Sequence, residues 1–241
     1  MNEDKTSEAG DPILRHQSAA EQDPHDVAHT RNLEDVEAHI EKHIGPIESV
    51  FHEIVSDVVH LDILYIKPAP DRPYHVLVTS GMSDLAMTVP EEMRAFDRAE
   101  LMIALPEDWP INEQAFQDEA NYWPIRWLKI VGRLPHEYET WIGYGHTIPN
   151  GDPAEPISGT QFVGVMVMPP LWLGNDFFQL EAASGDTVSF YELVPLYDEE
   201  MNFKLRNGAD ALQEKFADKE IGYVVDINRP NVAKKKRWFG R

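Results

Sequence analysis

The apolar positions of this chain change period several times, and each change marks an element. In "NLEDVEAHIEKHI", Leu33, Val36, Ile40 and Ile44 recur at helical spacing, with Asn32 as N-cap and Gly45–Pro46 as the stop. The period then shortens. "SVFHEIVSD" and "VVHLDILYIKP" predict two strands rich in β-branched residues, with a turn near Ser56–Asp57. Alternation in the second puts Val59, Leu61, Ile63 and Tyr65 on one face and His60, Asp62, Leu64 and Ile66 on the other. Next, Pro68, Pro70 and Pro73 break regular structure, "YHVLVTS" is β-prone, and Gly81 permits a tight bend. "RAELMIALP" is a further strand, stopped by Pro106.

The second half mixes the two periods. "NEQAFQDEANYWPIRWLKIVGRLPHEY" predicts a helix, with Pro124 at an interruption or a new first turn. "GYGHTIPNGDPAEPISG" reads as a long loop. "QFVGVMVMPP" and "DTVSFYELVPL" are strands with a weaker one, "FFQLEAA", between them, and "YDEEMNFKLRNGADALQEKFAD" is two helical pieces divided at Gly208. No repeat of 20–50 residues is visible. Consecutive strands followed by inserted helices favour an α+β fold over a doubly wound one. Residues 1–30 lack periodicity beyond "ILRH" and are expected to be a disordered acidic tail, followed by a domain over 31–230 and a basic C-terminal tail over 231–241.

Composition narrows the class. Hydrophobic residues make up 42% and aromatics 10%, enough for a packed core. No run approaches the ~20 apolar residues of a membrane helix, and the polar "MNEDKTSEAGDP" has no secretory pattern. Cysteine is absent, which excludes disulfides, thiolate nucleophiles and cysteine metal sites, so a cytoplasmic address is expected. The net charge is −21; residues 1–30 carry −5 and residues 233–241 carry +5, leaving the full −21 on residues 31–232. Such a body repels phosphate backbones and acidic membranes and attracts a basic partner.

Candidate chemistry is sparse. Four of ten histidines fall in "HIEKHIGPIESVFHEIVSDVVHLDILYI". His39 and His43, four apart on a helix, have a spacing that can pinch a metal, and His60 and Asp62 share a strand face. His52–Glu53 opens a zinc-protease H-E-x-x-H pattern that fails at Ser56. A metal-assisted hydrolase using His39, His43, His60 and Asp62 is therefore one alternative function, and a regulatory scaffold whose tails recruit partners is another; a solvated histidine surface is the plainer reading, and no metal or other cofactor is expected. Asp57, Asp62 and Glu100 are potential acid/base groups whose convergence the spacing does not reveal. Nucleophile elbows and phosphate-binding glycine loops are missing. Asp84, in "SGMSD", fits a turn or helix cap better than a catalytic role, and Trp123, Trp127 and Trp141 fit a core. The "KKKRWFGR" tail suits nucleic acid or an acidic surface, and folding back on this chain's own acidic body is the plainer reading.

Several stretches together resemble the bacterial suppressor-of-fused domain family: "HIEKHIGPIESVFHEI", "VHLDILYIKP", the paired "LVTSGMSDLAM" and "AELMIALPEDWP", "YWPIRWLKIVGRLPHEY" with "GYGHT", and "FYELVPLYDEEMNFKLRNGADALQEKF". They occur in the family's order over about residues 31–228. The resemblance implies a single domain with a mixed β-sheet flanked by helices, and action by binding protein rather than by catalysis. Eukaryotic relatives clasp a short transcription-factor segment as an added strand between two domains; many bacterial relatives resemble antitoxins or immunity proteins. This chain resembles only the N-terminal domain, so no second jaw is expected, and it has Gly145 where eukaryotic members place an acidic residue. The expected function is an intracellular protein-binding module, an antitoxin of a basic toxin being the specific form. Binding is expected by strand addition at a sheet edge around Met82, Asp84, Tyr144 and His146, which sit in expected loops beside strands.

Overall fold

A computed structural model of the chain describes residues 5–16, 31–53 and 58–234. In chain order its elements are a two-stranded hairpin of β1 (Lys5–Thr6) and β2 (Pro12–Ile13), then α1 (Leu33–His43), β3 (Ser49–Phe51), β4 (Asp62–Ile66), β5 (Tyr74–Ser80) and β6 (Ala99–Pro106). There follow α2 (Glu119–Glu137), β7 (Thr147–Pro149), β8 (Gly164–Met168), α3 (Asn175–Phe178), β9 (Gln179–Glu181), β10 (Thr187–Leu196), α4 (Asp198–Asn207) and α5 (Ala209–Asp218). The main sheet runs β3-β4-β5-β6-β10-β8-β7, with β9 paired to β10. Every pairing in it is antiparallel except β6 with β10, so the sheet is mixed and the α+β class is correct.

The alternation in β4 sorts its side chains as the pattern required. Leu61 and Ile63 enter the large core beneath α2, with Val59 preceding them, while Leu64 and Ile66 enter the core beneath α1. A third core seats α4 and α5 on β8 and the end of β10, through Met166, Leu196, Met201, Leu212 and Phe216.

α2 continues through Pro124 without a break, and Asp118, just before the helix, accepts from the Ala120 amide at 2.9 Å. Proline in a helix removes one backbone hydrogen bond at a cost of ~3 kcal/mol; buried Trp123, Trp127, Leu128 and Val131 offset it. Trp123 and Trp127 are thus core, and half-buried Trp141 packs against the same cluster.

Two features differ from the sequence pattern. The loop expected over 143–159 contains β7, a strand too short and too rich in flanking glycine and proline to show alternation. Within the expected tail, residues 5–16 form the hairpin, which docks on α4: the Ala9 amide donates to the Leu205 carbonyl, and Lys204 pairs with Asp11 at 3.0 Å. The turn expected at Ser56–Asp57 and most of the basic tail, 235–241, lie outside the described residues.

Candidate partner-binding surface

The four candidate residues fall in two places. Met82 and Asp84 follow β5; Tyr144 and His146 precede β7. From β5 to β7 is four strand positions, roughly 19 Å at ~4.8 Å per strand, so the sheet does not bring the two pairs together.

The first pair belongs to a turn knotted around Glu100. This carboxyl is fully buried; it accepts from the hydroxyls of Thr79 (2.5 Å) and Ser83 (2.7 Å) and the amides of Gly81 (3.1 Å) and Ser83 (3.0 Å). Burial outweighs those donors and pushes Glu100 up to about 7. Gly81 turns the chain at φ +108°, where an added Cβ would stand 2.2 Å from the His60 carbonyl oxygen. Met82 then points inward and has no exposed surface. Asp84 accepts from the Asn32 amide at 3.4 Å and lines a cavity of about 140 Å³ with Asn32, Val36, His60, Asp62 and Ser80.

Asn32 stands at the N-cap position of α1, yet its side chain makes no capping bond. It donates to the Ser83 carbonyl (3.2 Å) and Asp186 (3.3 Å) and accepts from the Ser184 hydroxyl (2.7 Å). Arg31 reaches the same Asp186 at 2.5 Å, and this hydrogen bond leads the causes holding Asp186 down at about 2.

The second pair lies beside the outermost strand. Tyr144 is 43% exposed, and its hydroxyl donates to Asp210 of α5; desolvation and that carboxylate push the phenol up to about 12. His146 is half-buried against Trp141, with ring centroids 4.3 Å apart, and burial holds its pKa below the ordinary value. β7 pairs only with β8 among the described residues, leaving its other side as a sheet edge.

The histidines thought of as ligands do other work. The His39 ring packs against both Phe177 and Phe190, with centroids 5.0 Å from each, and its Nε2 is 3.0 Å from the Phe177 carbonyl oxygen. Asp62 meets His52, His60 and the Glu53 amide, each at 2.9 Å. Glu53 in turn takes Arg133 and, at 3.6 Å, Lys129 of α2. His39 and His43 thus pack on the aromatic rings of the α1 core, and no set of three acidic or histidine side chains among the described residues is placed to hold a metal. No described helix is long and apolar enough to cross a membrane.

Comparison with known proteins places this architecture. The family model described as Suppressor of fused protein (SUFU) matches residues 57–230. The chain belongs to the SUFU family. A curated relative, an uncharacterised protein of Ureaplasma parvum serovar 3, is 26% identical over 183 residues, covering 76% of this chain and 84% of that one. A SUFU homologue from Neisseria gonorrhoeae FA 1090 superposes with a TM-score of 0.63 at 18% identity, over 85% of this chain and 98% of that one. A chain of the Sufu–Fu complex matches at 0.60 and 14% identity, over 83% of this chain and 92% of that one. Drosophila Suppressor of Fused matches at 0.58 and 14% identity; the match takes in 91% of this chain and 54% of the Drosophila protein. At these identities the structural likeness is one of fold.

Proposed function

We propose that this SUFU domain is a non-enzymatic protein-binding module that takes an extended segment of a basic partner along the edge of β7. The observation that carries this is the juxtaposition of a strand edge left unpaired among the described residues, Thr147–Pro149, with the exposed Tyr144 ring and the half-buried His146 immediately before it. An incoming strand would gain backbone hydrogen bonds there, and neighbouring side chains would supply selection. The edge is short, and Pro149 has no N–H to offer. Much of the affinity therefore comes from side chains and charge. Among related structures, Sufu in the Sufu–Fu complex has a protein partner.

The net charge of −21 supports a cationic partner by steering its approach. A toxin neutralised by its antitoxin or immunity protein has that chemistry, and a cysteine-free acidic domain suits a cytoplasmic setting. In this reading Asp84 gives the surface a second contact near the cavity, and Met82 acts from behind by fixing the turn that carries it.

Capture of partners from the native host tests the reading. Wild-type protein is expected to retain one stoichiometric basic protein, and Tyr144→Ala, an exposed change, to weaken that capture about tenfold. Thr147→Pro, which removes a donor from β7, is expected to weaken it by a comparable factor. Capture equal to wild type by both folded variants would place the contact elsewhere.

A further inference from the structure

On the α1 side of the sheet, away from β7, three aromatic rings meet at the surface. Tyr74 opens β5, Trp172 follows β8 and Tyr223 lies in the segment after α5. Trp172 and Tyr223 stack with centroids 4.5 Å apart, and Tyr74 meets them edge-on at 5.6 and 5.4 Å. The group is open to solvent: Tyr223 is 39% exposed and neighbouring Leu171 60%. Beneath it lies Glu192 of β10, only 4% exposed. Its Oε2 accepts from the Trp172 indole N–H at 3.2 Å, and its buried Oε1 has no partner among the described residues.

A buried carboxyl short of one partner is costly unless something compensates it. Aromatic faces attract cations, Trp and Tyr foremost, and the attraction grows when a carboxylate stands behind the rings. One such contact already exists at this corner: the Arg72 guanidinium lies 5.4 Å from the Tyr74 centroid, held by the carbonyls of Lys67 and Tyr74.

We propose that the Tyr74–Trp172–Tyr223 corner is a recognition site for an organic cation, an alkylguanidinium or alkylammonium, seated on the outer ring faces with Glu192 as counter-charge. Its source is a free amine or the arginine or lysine of a polypeptide, and the site stands whether or not β7 binds a strand. Burial pushes the Glu192 carboxyl up to about 8, so it holds its proton at neutral pH while the corner is empty. A cation arriving above it favours the carboxylate, and the proton leaves to buffer. Tyr74 is the titratable group coupled to Glu192, and the cation of this corner is Arg72, which lies over the Tyr74 ring and opposes the ligand.

Calorimetric titration of the intact protein at pH 7 with n-butylguanidinium and with n-butylammonium tests the site, in two buffers of different ionisation enthalpy. Saturable binding with proton release is expected, weakened about tenfold in Tyr223→Ala. Glu192→Gln is expected to abolish the proton release. Binding of an arginine- or lysine-bearing peptide more tightly than the free amine would identify the polypeptide as the source; the reverse order would identify the small molecule. No saturable heat for either cation, or binding unchanged in folded Tyr223→Ala, would overturn the proposal.

Discussion

Gly81 sets the geometry of the turn after β5, and no other residue fits there. With φ at +108° and the His60 carbonyl 2.2 Å from where a Cβ would stand, Gly81→Ala is expected to cost ~2–3 kcal/mol, read as a lower midpoint in chemical denaturation. A midpoint unchanged from wild type would refute that account. The glycine was legible as a bend; its partner Glu100 was not, because a separation of 19 positions follows no period. Burial raises Glu100 to about 7 and Glu192 to about 8, from an ordinary 4.5. Between those values the folded protein keeps protons that the unfolded chain has released, so stability falls as pH rises through the window and levels off above about 8. His136, pushed down to about 4, contributes stability that is complete above 6.5 and lost as pH falls toward 4. From pH 6.5 to 8 the carboxyls therefore set the slope. Thermal midpoints are expected to decline there in wild type and to decline less in Glu192→Gln; parallel slopes would count against the assignment.

Elements with a long, clean period were visible in the sequence, and those fixed by remote partners were not. α1, α2 and the strands β4, β5, β6, β8 and β10 follow from periodicity because each buries a continuous apolar face. β7 stayed hidden: three residues cannot display alternation, and its strand character comes from pairing with β8. The segment after α5 is another case. It is pinned by Arg229, whose guanidinium forks onto buried Glu200 at 2.7 and 2.6 Å and sits among Phe162, Tyr197 and Phe216. No local pattern links positions 200 and 229. Removing one member of a buried pair leaves the other charge uncompensated, so Arg229→Ala is expected to lower stability by ~3–5 kcal/mol. Hydrogen exchange should then quicken over 222–234 and α4 before the central strands. Uniform loosening of the whole sheet would contradict this local role.

At the scale of the whole molecule, SUFU-family membership and the sheet order agree with the fold expected from the separated motifs. The placement of the four candidate residues was legible only in part. Tyr144 and His146 stand beside a sheet edge, whereas Met82 and Asp84 lie across the sheet in a turn whose purpose only the buried Glu100 explains. The net charge of −21 acts on an approaching partner over a Debye length of ~10 Å at moderate salt. The most direct test is the mass of the protein as isolated gently from its host at low ionic strength. A one-to-one complex with a basic polypeptide, dissociating as salt is raised, is the predicted result. A chain that emerges alone under those conditions would contradict the account.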